Sequence, residues 1–245
     1  MYLFKKHLQP TARSISRYMH THHFSNFFRS QDNFFNNPDK VVDLANKLDF
    51  IKSPVHPGTR TKNLFEINQE CASFGTYLAK RIADEIFIGM RNLKIDIRFH
   101  KNDVYDDPDC NAGWIHNDPV KVAGVVYLNQ GLLDMQAGTS MFAKTSNRNF
   151  STPDITSRNK FNLSKEITQQ YKQDLEDNHS HFKETLKCGN VYNRLIAYDS
   201  SIFHRPNNYV INNGEQRLSI IFFIEHYEYT QPQSLLSVTP DWKDQ

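Results

Sequence analysis

The most informative part of this chain is the segment WIHNDP (114–119), which leads into the apolar run VAGVVYL (122–128). Residues i and i+2 of a β-strand point to the same face, so His116 and Asp118 would project side by side. An imidazole and a carboxylate placed in this way supply two ligands of a facial metal triad. The third ligand has to come from a returning strand, and His204 in the segment SIFHRP (201–206) fits that position. By the same parity, Trp114 would either form a wall of the site or pack in the core.

A His-x-Asp triplet is a weak signal by itself, because a chain with 11 histidines contains roughly one by chance. A surface histidine beside an aspartate at a strand end is the alternative. A second pattern, RLSIIFFI (217–224), is an apolar strand that Arg217 opens, with Ser219 on the same face. Arginines are rarely buried without a partner, so Arg217 indicates an anionic ligand such as a bidentate carboxylate. Otherwise Arg217 lies at an exposed strand start and pairs with a surface acid.

Taken in order, these motifs resemble the Fe(II)/2-oxoglutarate-dependent dioxygenases, and in particular their prolyl-hydroxylase-like members. The resemblance extends to YLN (127–129), GTSMF (138–142) and NRLIAYDSS (193–201), and it covers about residues 95–228. Within this superfamily the chain looks most like a functionally uncharacterised branch that phages often carry.

The resemblance implies a mainly β (α+β) fold, the double-stranded β-helix or jelly-roll, with supporting N-terminal helices. It implies an oxidoreductase that uses Fe(II), 2-oxoglutarate and O2 and hydroxylates an unidentified substrate, with release of succinate and CO2. The implied metal ligands are His116, Asp118 and His204. Arg217 would bind the distal carboxylate of 2-oxoglutarate and Ser219 would add a hydroxyl contact. Tyr127 and Thr139 are weaker candidates for this pocket, and no side chain is expected to act as a general base.

Two other functions stay open at this point. One is a non-catalytic jelly-roll module that binds a metal or belongs to a virion, because a fold alone does not establish a function. The other is a cupin-like metalloenzyme without 2-oxoglutarate, in which Arg217 would lack a purpose. The substrate would be a small molecule or a peptide. Nucleic acid is only weakly supported, by the basic residues within 1–31, and the sequence does not indicate an oligomeric state.

Composition limits the setting of the protein. The 245 residues have a formal net charge of +2 and a hydrophobic content of 38%, enough for a substantial core. Three widely spaced cysteines without a C-x-x-C pair predict a reducing compartment, such as the cytoplasm, or the host cytoplasm if the protein is viral. No apolar run reaches the roughly 18–20 residues of a membrane span, so we expect a soluble protein.

Residues 1–31 contain no acidic side chain, which is typical of organellar presequences. We favour an N-terminal strand with a solvated, histidine-rich tail, because Phe24, Phe27 and Phe28 are expected to contact the core. Residues 32–245 then form a single domain.

The apolar spacing predicts the elements of that domain. Supporting helices are expected within 37–90, from Asn37 to Phe50 and again from Ile67 to Ile86. Core strands are expected within about 93–228, at 93–99, 122–128, 138–143, 194–198, 201–205 and 217–224. His100 continues the polar face of the first of these strands and is expected to be exposed. The polar insertion at about 144–190 allows one amphipathic helix, whose apolar stripe would consist of Leu163, Ile167, Tyr171 and Leu175. This insertion would lie over or beside the cavity mouth, or else form a plain surface excursion.

Overall fold

The computed structural model describes residues 27–87, 89–131, 134–145, 155–164, 166–211 and 216–229. Most of the basic N-terminal segment, including Phe24 and the histidines at 20, 22 and 23, lies outside the described residues, as does part of the insertion. Phe27 and Phe28 contact the core as expected.

Within these described ranges, ten strands form two antiparallel sheets. The strands are β1 (Phe28–Gln31), β2 (Ile51–Lys52), β3 (Thr59–Arg60), β4 (Met90–Lys101), β5 (Val122–Tyr127), β6 (Asp134–Lys144), β7 (Phe182–Asn190), β8 (Leu195–Asp199), β9 (Phe203–Pro206) and β10 (Leu218–Tyr229). The larger sheet has the order β1-β8-β5-β10-β4-β3-β2, and the smaller sheet has the order β7-β6-β9. Side chains from both sheets line one cavity between them. This architecture is the double-stranded β-helix that the sequence predicted.

Two helices cover the outer face of the larger sheet, as expected. Helix α1 (Pro38–Asn46) begins where the sequence indicated: Asn37 caps it by accepting a hydrogen bond from the Lys40 N–H, and proline occupies its first turn. Helix α2 (Gln69–Arg81) is capped by Asn68 and continues into a π-helical turn at Ile82–Ile86. The apolar stripes of both helices pack against alternate residues of the central strands.

The alternation in β10 separates the two faces of the larger sheet. Ile220, Phe222 and Ile224 contact the cluster under the helices, whereas Ser219 and Ile221 face the interior between the sheets. Arg217, just before the strand, has the parity of Ser219 and lines the cavity too. The predicted strand therefore places both polar side chains inside the molecule.

The insertion is more structured than the sequence indicated. It contains helix α3 (Ile155–Ser164), helix α4 (Gln169–Ser180) and the strand β7, where one amphipathic helix was expected. Leu163, at 53% exposure, does not pack with Tyr171 and Leu175 as the predicted stripe required; Phe161 does. Smaller differences are two short strands and a 3-10 turn in 51–66, and a 3-10 turn at Pro108–Asn111.

All three cysteines are buried free thiols. Within the described ranges, no helix is both long and apolar enough to cross a bilayer.

Candidate metal centre and cavity

His116 and His204 lie opposite each other on two antiparallel segments. The His116 N–H donates to the His204 carbonyl oxygen at 3.0 Å, and the His204 N–H donates to the His116 carbonyl oxygen at 2.8 Å. Directly opposed residues of an antiparallel pair project on the same side, so both imidazoles enter the same space. Their ring centroids are 4.6 Å apart. The sequence predicted that His116 lies on a regular strand. In the structure His116 forms an isolated antiparallel bridge with His204, and this bridge fixes the direction of its side chain.

Asp118 completes the cluster. Its carboxylate lies 3.3 Å from His204 Nε2 and 3.8 Å from His116 Nε2, and the three potential ligand atoms lie within 4.8 Å of one another. The Asp118 N–H donates to the Ser200 carbonyl oxygen, which holds the residue against the turn before β9. Burial acts to raise the pKa of Asp118, but the interactions with His204, His116 and Arg60 outweigh it. The pKa of this carboxyl therefore lies below its usual value.

Backbone carbonyls orient both imidazoles. His116 Nδ1 lies 2.8 Å from the Trp114 carbonyl oxygen, and His204 Nδ1 lies 2.9 Å from the Ile202 carbonyl oxygen. A carbonyl oxygen only accepts, so each Nδ1 carries a proton, and in the neutral imidazole each Nε2 has the lone pair. Both lone pairs are directed toward the Asp118 carboxylate, where a divalent metal would lie. These two carbonyls are the orienting groups that metal-binding histidines generally require.

Helix α4 of the insertion holds the segment that leads to His116 and Asp118. Asn178 of α4 is buried, and its side-chain amide bonds both backbone groups of Ile115: Oδ1 accepts from the N–H at 2.8 Å and Nδ2 donates to the carbonyl oxygen at 3.1 Å. Trp114 packs on Tyr171 of the same helix and donates its indole N–H to the Tyr171 hydroxyl at 3.2 Å. Trp114 thus lines the cavity and also packs in a core cluster. The sequence alone did not single out Asn178.

Arg217 lies in the same cavity and is only 3% exposed. Its guanidinium donates to the Gly138 carbonyl oxygen at 3.1 Å and to Thr139 Oγ1 at 3.3 Å, and it lies over the Tyr127 ring. Its Nε–H has no hydrogen-bond partner. No carboxylate within the described parts of the chain forms an ion pair with it, so the surface pairing considered as an alternative is not what the structure shows.

The other predicted pocket residues surround this arginine. Ser219 and Thr139 line the cavity, whereas Tyr127 lies beneath and donates its hydroxyl to Thr139 Oγ1 at 2.8 Å. Thr139 is two residues along β6 from Met141, and Met141 pairs with His204. The strand position that the guanidinium contacts is therefore about 7 Å along β6 from the position that pairs with His204.

Several cavity residues were not found by the sequence reasoning. The cavity of about 210 Å³ is also lined by His56, Arg60, His100, Asn102 and Tyr198. His100 was expected to be exposed, and this expectation was wrong: it is buried, and its Nε2 lies 2.7 Å from the Pro57 carbonyl oxygen. The reason is that at this end of β4 the polar face lines the cavity and contacts the loop between β2 and β3.

Arg205, next to His204, points away from the metal cluster as strand alternation predicts. It packs over the Phe142 ring and contacts His179 of α4. Burial and the charge of Arg205 lower the pKa of His179 to about 4.

Comparison with known proteins adds a family model and similar structures. A model described as a family of unknown function (DUF6445) matches residues 106–220, a span that includes the three clustered residues and Arg217. No curated protein matches the chain.

Three of the similar solved structures are a prolyl-4-hydroxylase from Pseudomonas putida, HygX from Streptomyces hygroscopicus with nickel and 2-oxoglutarate bound, and SnoN, a non-heme alpha-ketoglutarate-dependent epimerase of nogalamycin biosynthesis. The hydroxylase is 15% identical over 82% of this chain and 94% of its own, with a TM-score of 0.44. HygX is 12% identical over 91% of this chain and 88% of its own, with a TM-score of 0.49. SnoN is 11% identical over 89% of this chain and 86% of its own, with a TM-score of 0.44. The likeness to a phage-associated branch stays a prediction.

Proposed function

We propose that this protein is an Fe(II)- and 2-oxoglutarate-dependent dioxygenase that hydroxylates a small-molecule or peptide substrate and releases succinate and CO2. One observation carries the proposal: the His116/Asp118/His204 cluster and the buried Arg217 face the same cavity. A metal site alone would fit many proteins. A metal site beside a buried arginine that forms no ion pair with a described carboxylate fits a protein that also binds an anionic co-substrate.

The donor set suits Fe(II). Two neutral imidazoles and one carboxylate form a facial triad with open positions, as in non-haem Fe(II) oxygenases. The Nδ1 contacts with Trp114 and Ile202 leave the two Nε2 atoms available without any change of tautomer. The lowered pKa of Asp118 keeps its carboxylate ionised at neutral pH. The residues present therefore fit this metal.

Arg217 suits the distal carboxylate of 2-oxoglutarate. A fully buried guanidinium is costly unless an anion accompanies it. Gly138 and Thr139 hold the arginine in position as neutral acceptors, and its Nε–H remains available for a charged one. Ser219 lies two residues after Arg217 on the same face and would offer a hydroxyl to the same ligand. Tyr127 acts through Thr139 and through the ring beneath the guanidinium.

When bound, the metal and 2-oxoglutarate would supply the oxidising chemistry, and the chain would supply position and shielding. Trp114 and Tyr198 enclose the cluster, and the Tyr198 ring lies 4.7 Å from the His204 ring. Burial and the charge of Asp118 raise the pKa of Tyr198, so its hydroxyl stays protonated. The histidines and Asp118 serve as ligands, which leaves no side chain in the role of a proton-transfer group.

The experiment is an anaerobic incubation of the Fe(II)-loaded protein with 2-oxoglutarate, followed by oxygen, with succinate measured over time. We expect oxygen-dependent succinate in the wild type and none in Asp118→Ala. The matched control is Asp199→Asn, an aspartate at the end of β8 that is not part of the cluster. A wild-type protein that binds Fe(II) but neither binds nor consumes 2-oxoglutarate would contradict the proposal and favour a metal-binding module.

A further inference from the structure

One buried side chain of the insertion contacts the backbone just before the metal cluster. Asn178 of α4 is only 5% exposed, and both hydrogen bonds of its side-chain amide go to Ile115. Oδ1 accepts from the Ile115 N–H at 2.8 Å, and Nδ2 donates to the Ile115 carbonyl oxygen at 3.1 Å. Ile115 is not a ligand, but it immediately precedes His116. The two bonds therefore act on the peptide units on either side of Ile115.

The first of these peptide units leads to the His116 imidazole. A peptide unit is planar and rigid, so the Trp114 carbonyl group and the Ile115 N–H group move together. Asn178 holds the N–H side of this unit, and His116 Nδ1 donates to its carbonyl side at 2.8 Å. Hydrogen bonds in such a chain polarise one another, so the bond to Asn178 makes the Trp114 oxygen a better acceptor. Asn178 thus acts on the orientation and the basicity of a metal-binding ring.

The second peptide unit leads to the other histidine. It joins the Ile115 carbonyl group, to which Asn178 Nδ2 donates, to the His116 N–H group. This N–H donates to the His204 carbonyl oxygen at 3.0 Å, and the His204 N–H donates to the His116 carbonyl oxygen at 2.8 Å. The same side-chain amide therefore supports both the ring direction of His116 and its pairing with His204.

The segment needs this support because it is not part of a regular sheet. The pairing of His116 with His204 is an isolated bridge. Adjacent residues of a strand direct their backbone groups to opposite sides, so those of Ile115 point away from His204. In a sheet, a further strand would bind them. Here the side chain of Asn178 takes the place of that strand.

We propose that Asn178 is a positioning residue for the metal centre, and that helix α4 is therefore a working part of the metal site. This inference rests on the metal-binding part of the proposed function. Removal of a group that orients a metal-binding histidine typically lowers metal affinity by about 10–100-fold. Asn178 acts one hydrogen bond further from the metal, so its removal belongs at the lower end of that range. Because such coupling is reciprocal, bound metal stabilises the contacts of α4 by the same factor.

The first test is an anaerobic calorimetric titration of the full chain with Fe(II). Asn178→Ala should bind Fe(II) about tenfold more weakly than the wild type. The matched control is Leu175→Ala on the same helix, which removes a buried side chain and leaves both bonds to Ile115 in place. It should destabilise the protein but bind Fe(II) as the wild type does. With 2-oxoglutarate added, the visible charge-transfer band should move to shorter wavelength only in Asn178→Ala, because His116 becomes a weaker donor.

The second test needs no variant that has to fold. Saturating Fe(II) should slow hydrogen exchange of the α4 amides in the wild type by about tenfold, the same factor as the change in affinity. This slowing should be lost in Asn178→Ala. Equal Fe(II) affinities of Asn178→Ala and the wild type, equal losses in both variants, or α4 exchange that Fe(II) leaves unchanged would overturn the inference. A wild type that does not bind Fe(II) would overturn the proposed function instead.

Discussion

Both faces of β10 contain buried side chains, but the two faces have different chemistry. On the outer face, Ile220, Phe222 and Ile224 are fully buried against the helices and need no partner outside the chain. On the inner face, Ser219 is equally buried, and so is Arg217 just before the strand, yet both are polar. The difference shows that burial alone does not identify core packing. The outer face stabilises the protein, whereas the inner face places buried donors at the cavity in which we propose that ligands bind.

The largest effect is expected from the metal ligands. Asp118→Ala or His204→Ala removes one of three ligands, and the loss of metal affinity should exceed the roughly 10–100-fold of an orienting residue. Calorimetric titration with Fe(II) under anaerobic conditions measures it. Ile224→Val on the outer face is the control and should bind metal normally. Unchanged affinity in Asp118→Ala would mean that the metal lies elsewhere.

Phe222 and Phe223 give a matched comparison of the two faces. Phe222→Ala should lower the free energy of unfolding by about 3–5 kcal/mol, because it opens a cavity in a filled core. Phe223→Ala should cost clearly less, since this ring is only partly buried and faces the cavity. Urea denaturation measures both. Equal losses would remove the distinction between a stabilising and a functional face.

Arg217→Gln should weaken 2-oxoglutarate binding by about 10–100-fold, because a hydrogen bond to a charged group contributes about 1.5–3 kcal/mol. The affinity for Fe(II) should stay the same. Ser219→Ala removes a neutral hydroxyl from the same face and should cost about 1 kcal/mol. Calorimetric titration of each Fe(II)-loaded variant with 2-oxoglutarate measures the two losses of affinity separately. Parallel loss of metal affinity in Arg217→Gln would indicate a structural role for the arginine.

The smallest effect concerns pH. The folded pKa of His100 lies well below the unfolded value of about 6.5, because of burial and the charge of Arg60. The unfolded chain therefore binds more protons below about pH 6.5, and stability falls as the pH decreases through that window. His100 contributes a slope of at most about 1.4 kcal/mol per pH unit.

Urea denaturation at pH 7 and pH 5.5 tests this slope, and His100→Gln should reduce it. The outer-face variant Ile224→Val should leave the slope as it is in the wild type. An identical slope in His100→Gln would contradict a neutral, buried His100.

The sequence predicted the central strands well because their alternation reflects burial on two faces. Arg217 and Ser219 could be placed inside because period-two alternation fixes their direction relative to Phe222. The same logic failed for His100. Parity placed it on a polar face, but parity does not say whether that face meets solvent or a cavity.

The insertion shows the opposite limit. Strand β7 was missed because its first residues are largely exposed and carry no apolar alternation; pairing with β6 specifies it instead. Asn178 was missed for a related reason. Its two hydrogen bonds to Ile115 join positions 63 residues apart, and no local pattern marks such a contact.

The most direct measurement is an anaerobic titration of the protein with Fe(II), with and without 2-oxoglutarate, followed by visible spectroscopy. A charge-transfer band from the metal to the bound 2-oxo acid should appear only with both components. The band should vanish in His204→Ala and need more 2-oxoglutarate in Arg217→Gln. Metal binding without any band, at saturating 2-oxoglutarate, would contradict the assignment of this cavity to a 2-oxoglutarate-dependent dioxygenase.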